Sequence, residues 1–204
     1  MSKIAIIGAT GRAGSQLLEE ALRRGHSVTA IARDASSLAG RSGVVTKNLD
    51  VNDGKAYAEA VAGHDVVISS THFSSVSAGT TIEPVKRAGV PRLLVVGGAG
   101  SLFVAPGVRV IDTPDFPEEY KAEAAAGVAF LEVLRQEKDL DWTFLSPSAL
   151  FIEGPRTGVF RLGGDDLLVD ANGNSSISFA DFAIAMLDEI ERHNHSRQRI
   201  TVGY

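Results

Sequence analysis

Three glycines near the start of the chain have the spacing of a phosphate-binding turn. They lie in the run Gly8-Ala9-Thr10-Gly11-Arg12-Ala13-Gly14. The first glycine of such a run permits a tight turn, the second lets a diphosphate approach the backbone, and the third lets a helix pack closely on a strand. The N–H groups and the dipole of that helix then attract the anion. We therefore predict that these seven residues bind a dinucleotide.

The surroundings of the turn favour this interpretation. The spacing is G-x-x-G-x-x-G rather than the G-x-G-x-x-G of simple dehydrogenases, and glycines also mark purely structural turns. Here, however, an apolar strand is predicted at Lys3–Gly8 and an amphipathic helix at Gly14–Arg24. A strand before the turn and a helix after it are the context that dinucleotide binding requires.

The end of the second predicted strand bears on which dinucleotide is bound. That position contacts the adenosine ribose, where an acid suits a free 2′-hydroxyl and an arginine suits a 2′-phosphate. Here Arg33 ends the strand, Asp34 follows it, and Arg12 adds a second cation from the turn. This pattern predicts NADP in preference to NAD. The alternative is that Arg33 is merely solvated and Asp34 caps the next helix.

Apolar runs alternate with stretches of helical period along the chain. Further strands are predicted at Ser27–Ala32, Val44–Asn48, Asp65–Ser70, Arg92–Gly97, Trp142–Leu145 and Arg199–Val202. Further helices are predicted at Lys55–Ala62, Thr81–Ala88, Glu118–Glu137 and Phe179–Arg192, and a hairpin at Gly158–Asp170. Continuous apolar strands between helices indicate an α/β fold, a Rossmann-type doubly wound parallel sheet. We expect one domain over 1–204, with a small C-terminal substrate-side cap within 148–204.

Composition excludes several classes of protein. The chain has 204 residues, a formal net charge of -5 and no cysteine. The charge argues against nucleic-acid binding, and the lack of cysteine excludes disulfides, thiolate metal sites and a cysteine nucleophile. The histidines show no metal-ligand spacing, so no metal is predicted. No apolar run has the length of a signal peptide or a membrane span, so the expected location is the cytoplasm.

Several longer motifs together resemble the atypical short-chain dehydrogenases/reductases with an NAD(P)H-binding domain. Within that group the chain is similar to bacterial proteins provisionally named NADH–flavin reductases, and more distantly to flavin reductase/biliverdin-IXβ reductase. The resemblance rests on the glycine run and on Leu49-Asp50-Val51, Val95-Val96-Gly97-Gly98-Ala99-Gly100, Asp141-Trp142-Thr143-Phe144-Leu145-Ser146-Pro147, Thr157-Gly158, Ile177-Ser178 and Arg199-Ile200-Thr201-Val202.

The resemblance implies further cofactor contacts. Asp50 and Val51 would line the adenine, and Gly97 with Gly98 would lie near the nicotinamide-side ribose. The residues that would follow the fourth strand beneath the cofactor are Ser69, Ser70 and Thr71. The residues that would border the nicotinamide are Pro147 and Ser148.

The usual proton donor of carbonyl-reducing relatives is missing. These enzymes carry Tyr-x-x-x-Lys, in which the lysine lowers the tyrosine pKa. Here Tyr120 is followed four positions later by Ala124. Ser101 and Tyr120 are therefore only weak catalytic candidates, and Tyr120 is also readily explained as a surface residue.

This absence predicts the type of acceptor. A carbonyl that accepts a hydride becomes a basic alkoxide and needs an acid, whereas a flavin or quinone delocalises the charge and takes its proton from water. We therefore expect hydride transfer from NAD(P)H to a flavin, quinone or similar conjugated small molecule. An apolar pocket that stacks such a ring can be built from some of Phe73, Phe103, Phe116 and Phe151, although ordinary core packing of the cap explains these residues equally well. The alternative is a non-catalytic NAD(P)-sensing regulator that binds a partner protein. A sugar-nucleotide epimerase is disfavoured because the segment after Pro147 is short.

Overall fold

The computed structural model describes all residues from Met1 to Tyr204. The twelve strands are β1 Lys3–Ile7, β2 Ser27–Ala32, β3 Val44–Asn48, β4 Val66–Ser69, β5 Arg92–Val96, β6 Phe103–Ala105, β7 Val108–Arg109, β8 Asp141–Pro147, β9 Leu150–Ile152, β10 Arg161–Gly163, β11 Ser176–Ser178 and β12 Gln198–Gly203. The five α-helices are α1 Arg12–Arg23, α2 Gly54–Val61, α3 Ala78–Arg87, α4 Glu118–Gln136 and α5 Phe179–Arg192. No helix combines the length and apolar character that crossing a membrane requires.

Eight strands form the central sheet in the order β10-β12-β8-β5-β4-β1-β2-β3. All neighbours are parallel except β10, which runs antiparallel to β12. The predicted Rossmann-type parallel sheet is confirmed. The strand order reverses between β1 and β4, and ligands of open α/β sheets bind in the crevice at the carboxyl ends of such strands.

Helices cover both faces of the sheet over two cores of nearly equal size. One core of 22 buried residues lies under α1 and α5 and includes Ile4 and Ile6. The other core, of 21 buried residues, lies under α2, α3 and α4 and includes Ala5 and Ile7. Successive residues of β1 thus point to opposite cores, which explains why every residue from Ile4 to Ile7 is apolar.

The strands of the segment 148–204 differ from the prediction. The hairpin predicted at Gly158–Asp170 is wrong, because Arg161–Gly163 pairs with Thr201–Gly203 of β12 instead of folding back on itself. Alternating residues and a glycine pair suit a sheet edge as well as a hairpin, so the local pattern does not identify the partner strand. Two further short sheets, β6 with β7 and β9 with β11, have no counterpart among the predicted strands.

Candidate dinucleotide site

The glycine turn joins β1 to α1 at the crevice, and two of its glycines cannot be replaced without collision. Gly8 has a φ of +78°, and a β-carbon there would lie 2.2 Å from the Ser70 carbonyl oxygen. A β-carbon on Gly14 would lie 2.1 Å from the carbonyl oxygen of Gly8. The first glycine therefore permits the tight turn, and the third brings α1 against the backbone of the turn, as the motif predicts.

Gly11 has a different environment. A β-carbon there would meet only the Gly8 carbonyl oxygen, at 3.3 Å. Gly11 is also the N-cap residue of α1 and lines two of the cavities described below. The middle glycine therefore keeps a surface open for a ligand, while the folded chain itself needs a glycine less strictly at this position.

The N-terminus of α1 has no anionic partner within the protein. It has no side-chain cap and no acidic residue in its first turn. By contrast, Asp53, Ser77 and Ser178 cap α2, α3 and α5, and Glu118 and Glu119 occupy the first turn of α4. A helix N-terminus with free N–H groups attracts a phosphate. The geometry of the turn thus fits a diphosphate.

The first cavity, which we name the cap cavity, has a volume of about 490 Å³. It lies between the glycine turn and the C-terminal segment, and its lining residues are Thr10, Gly11, Arg12, Ser15, Gln16, Glu153, Gly154, Phe179 and Ala180. The guanidinium of Arg12 lies 5.5 Å from the ring centroid of Phe179, at cation–π distance. The structure therefore does not bring Arg12 together with Arg33, because Arg33 lines a different cavity.

The second cavity, the strand-end cavity, has a volume of about 310 Å³ at the ends of β1, β2 and β3. Arg33, Asp50, Val51, Ser70 and Thr71 line it, together with Gly8, Thr10 and Gly11 of the turn. Of the predicted residues that follow β4, Ser69 is buried and does not line it. The structure thus gathers most of the residues predicted on the adenosine side.

Arg33 and Asp34 have different surroundings at the end of β2. Arg33 is exposed, lines the strand-end cavity and forms no hydrogen bond or ion pair within the chain. Asp34 does not line the cavity, and its carboxylate accepts a hydrogen bond of 2.9 Å from the Ser36 backbone N–H. Hydrogen bonds from Ser36 lower the pKa of Asp34. The acid is therefore engaged in the following turn, and the arginine is free.

The third cavity, the aromatic cavity, has a volume of about 460 Å³ on the α4 side of the crevice. Its lining residues are Phe73, Gly97, Gly98, Ala99, Gly100, Ser101, Val110, Thr113, Asp115, Phe116, Pro117, Tyr120, Glu123, Ala124, Gly127, Val128, Ala149 and Leu150. It thus includes Gly97 and Gly98, predicted near the nicotinamide-side ribose, and both weak catalytic candidates. A β-carbon on Gly97 would lie 2.4 Å from the Phe144 ring, so glycine allows this close approach.

The two weak catalytic candidates differ in their surroundings. The hydroxyl of Ser101 is buried and has no hydrogen-bond partner within the protein. Tyr120 is 60% exposed, and the residue four positions later, Ala124, packs close to Gly100. The position that a lysine occupies in Tyr-x-x-x-Lys is thus occupied here by an alanine, which packs against the loop at Gly100. Ser101 is the better placed of the two to donate a hydrogen bond to a ligand.

Phe73 forms the inner wall of the aromatic cavity. Its ring centroid lies 5.1 Å from that of Phe130 and 5.9 Å from that of Phe144. The Glu123 carboxylate accepts hydrogen bonds from the backbone N–H groups of Phe73 and Ser74, at 2.7 and 2.9 Å. Burial opposes ionisation of Glu123, but the hydrogen bonds outweigh it and its pKa is lowered. A charged carboxylate thus positions this wall.

The other predicted aromatic residues divide between site and core. Phe116 lines the aromatic cavity, whereas Phe103 does not. Phe151 packs against Phe179 and Phe182, with ring centroids 4.3 and 4.7 Å apart, and belongs to the core of the C-terminal segment. Sequence reasoning missed the acids Asp115 and Glu123. No local pattern distinguishes them from the other acids around α4, since the cavity that both line is formed by tertiary packing.

Pro147 and Ser148 are predicted to border the nicotinamide, and both are buried. Ser148 is 1% exposed, and its hydroxyl donates a hydrogen bond of 3.1 Å to the Val202 carbonyl. Neither residue lines any of the three cavities, whereas the next residues, Ala149 and Leu150, line the aromatic cavity. Pro147 and Ser148 therefore lie behind the cavity wall.

Comparison with known proteins shows which family this chain resembles. Residues 8–191 match the model of the NAD(P)H-binding family. The uncharacterized protein YwnB of Bacillus subtilis is 43% identical, over 98% of this chain and 97% of its own. That extent of similarity indicates a shared fold along the whole chain.

Two solved structures are also similar over nearly the full length. One, from Bacteroides thetaiotaomicron and provisionally named an epimerase, is 44% identical over 99% of this chain and 96% of its own, with a TM-score of 0.94. The other is from Streptococcus pneumoniae and is provisionally named an NADH–flavin reductase. It is 37% identical over 100% of this chain and 99% of its own, with a TM-score of 0.86. Their names differ in the reaction, but both share the fold of this chain. The chain belongs to the NAD(P)H-binding family.

Proposed function

We propose that this protein is an NAD(P)H-dependent reductase that transfers a hydride to a flavin, quinone or similar conjugated acceptor. The observation that carries the proposal is the uncapped N-terminus of α1, which opens at Gly11 onto both the cap cavity and the strand-end cavity. The diphosphate of the dinucleotide would bind there. Its adenosine half would extend towards Asp50 and Val51 in the strand-end cavity.

NADP is the preferred cofactor in this proposal. Arg33 lines the strand-end cavity without a partner, while Asp34 is hydrogen-bonded to Ser36. A free arginine at the end of β2 suits a 2′-phosphate, and its hydrogen bonds to phosphate are charge-assisted. Arg12 is associated with Phe179 and would act at the diphosphate instead.

The acceptor would occupy the aromatic cavity. The bound nicotinamide would supply the hydride, and the protein would orient it and exclude water. The ring of Phe73 offers an apolar wall to a flat molecule, and the Ser101 hydroxyl offers a hydrogen-bond donor. No lysine accompanies Tyr120, so the site suits an acceptor that delocalises charge. The provisional name of the Streptococcus pneumoniae relative supports a flavin.

The test is NADPH oxidation in the presence of a panel of acceptors, followed at the absorbance of reduced nicotinamide. The panel contains riboflavin, FMN, quinones and simple ketones. We expect oxidation that depends on both protein and acceptor with flavins or quinones, and none with ketones. Oxidation with ketones alone would contradict the proposal. Tight dinucleotide binding without turnover would instead favour the non-catalytic sensor.

A further inference from the structure

The charges around the aromatic cavity indicate which acceptors it admits. The only ionisable side chains that line it, apart from the Tyr120 phenol, are the carboxylates of Asp115 and Glu123, and no lysine, arginine or histidine lines it. Glu123 is held ionised by the N–H groups of Phe73 and Ser74. Asp115 is exposed and forms no hydrogen bond or ion pair within the chain. Glu123 also lies 3.6 Å from the largely exposed ring of His72, which does not line the cavity. The cavity wall itself therefore carries two carboxylates and no cationic side chain.

Besides the His72 ring, two positive features lie near the cavity, and both already have acidic neighbours. The N-terminus of α4 adjoins the cavity at Pro117, and a helix N-terminus attracts anions. However, Glu118 and Glu119 already occupy its first turn. The nearest lysine on the helix, Lys121, is paired with Glu118 at 2.5 Å. An incoming anion thus finds no lysine, arginine or histidine in the wall of the aromatic cavity.

The polar partners that remain are neutral. Ser101 is 8% exposed and lines the cavity, and its buried hydroxyl has no hydrogen-bond partner within the protein. A hydroxyl can donate to a ring carbonyl or a ring nitrogen without requiring charge on the ligand. The apolar walls at Phe73, Phe116 and Leu150 likewise suit an uncharged ring.

We infer that the aromatic cavity selects uncharged planar acceptors, such as riboflavin or an unsubstituted quinone, and rejects their phosphorylated, sulfonated or carboxylated analogues. This inference rests on the proposed function, which it sharpens. Two carboxylates in a partly enclosed cavity repel an anionic substituent on the acceptor. They do not repel an analogue that has the same ring but lacks that substituent. The phosphate of the dinucleotide is bound separately at the glycine turn, so the two ends of the crevice have opposite charge preferences.

The test compares matched pairs that share one ring and differ in charge. They are riboflavin with FMN, and 1,4-naphthoquinone with its 2-sulfonate. Binding to the protein saturated with NADP is measured by fluorescence or calorimetry, and NADPH oxidation is measured separately. In each pair we expect the neutral member to be favoured by about tenfold or more in Kd and in kcat/KM at low salt, with the ratio falling as ionic strength rises.

Asp115→Lys is the informative variant, because the exposed side chain of Asp115 has no structural partner. It should reduce the neutral-to-anionic ratio by about tenfold, since it replaces one repulsive charge by an attractive one. Glu59→Lys on α2, which makes the same change of net charge at a remote exposed position, should leave the ratio unchanged.

The outcomes separate this inference from the proposed function. Equal binding within both pairs, a preference for the anionic member, or no binding of any member would overturn the inference. If the neutral members bind selectively but no acceptor supports NADPH oxidation, the selectivity of the cavity stands and the proposed reductase activity fails.

Discussion

The glycine turn and the aromatic cavity lie on the same crevice but are built in different ways. The turn is a single run of seven residues, and its ligand groups are backbone N–H groups at the start of α1. The aromatic cavity is assembled from segments between Phe73 and Leu150, and its character comes from side chains. A local site of backbone groups can be recognised from residue spacing. A site assembled by tertiary packing cannot.

The largest effect should come from filling the contact between α1 and the turn. Gly14→Ala would place a β-carbon 2.1 Å from the Gly8 carbonyl oxygen, so the helix would have to move away. We expect a loss of roughly 3 kcal/mol in the free energy of unfolding, as for an overpacked core site. Urea denaturation measures this loss.

Gly79→Ala on α3 is the matched control for that variant. Gly79 is exposed, and the nearest atom to a β-carbon there is 4.0 Å away. Alanine in an exposed helix position should stabilise the protein by about 0.5–1 kcal/mol. Similar unfolding midpoints for the two variants would show that the close contact at Gly14 is not needed.

Removing the free arginine of the strand-end cavity should change the choice of cofactor. With Arg33→Ser we expect NADPH to bind about tenfold to a hundredfold more weakly, from the loss of hydrogen bonds between charged groups. NADH binding should hardly change, because NADH lacks the 2′-phosphate. Calorimetry with both dinucleotides measures the ratio, and a parallel loss for both would contradict the assignment of NADP.

Acid should loosen the segment that lies over the glycine turn. The buried Asp181 carboxylate accepts hydrogen bonds from the Thr157 and Gly158 N–H groups, both 2.8 Å, and from the Tyr204 hydroxyl, also 2.8 Å. Burial opposes ionisation, but these bonds and that of the Thr157 hydroxyl prevail and lower the pKa of Asp181. The resulting stability is present above the ordinary value of 3.8 and is lost as pH falls through the lowered pKa.

As this carboxylate becomes protonated in acid, we expect the free energy of unfolding to fall by on the order of 1–2 kcal/mol. Unfolding curves recorded from neutral pH downwards measure it. In Asp181→Asn, which removes the titrating group, stability should be lower at neutral pH and should fall less steeply in acid. An equally steep fall in the variant would exclude Asp181 as a contributor.

The smallest effect concerns the aromatic cavity. Ser101→Ala removes an unpartnered hydroxyl, so stability should hardly change, while acceptor binding should weaken by roughly fivefold for one lost hydrogen bond. Ser146→Ala is the matched control, because its hydroxyl is also buried and unpartnered but lines none of the three cavities. Equal effects of the two variants on acceptor KM would contradict a role for Ser101.

The parallel sheet was predictable because its strands are buried on both faces. Ile4 to Ile7 point alternately to two cores, so every position is apolar, and the alternation of strands with helices follows along the chain. The pairing of β10 with β12 was not predictable, because Arg161–Gly163 has no local feature that distinguishes a sheet edge from a hairpin.

The same distinction holds for the site. Gly8 and Gly14 could be identified because a positive φ and a close contact each require glycine. The separation of Arg12 from Arg33 could not be predicted, because it depends on the contact of Arg12 with Phe179. Phe179 lies far along the chain and reaches the turn only in the folded protein. Asp115 and Glu123 likewise become a pair only through tertiary packing.

The central claim is that the N-terminus of α1 binds a dinucleotide, and calorimetry on one variant tests it most directly. Gly11→Asp adds a carboxylate where the diphosphate would lie, and its β-carbon requires only a small shift of the Gly8 carbonyl oxygen 3.3 Å away. Gly164→Asp, where a β-carbon meets nothing within 4 Å, is its control. We predict that wild type and control bind NADPH alike, and that Gly11→Asp binds at least about thirtyfold more weakly while it remains folded. Unchanged NADPH affinity in folded Gly11→Asp would contradict the account.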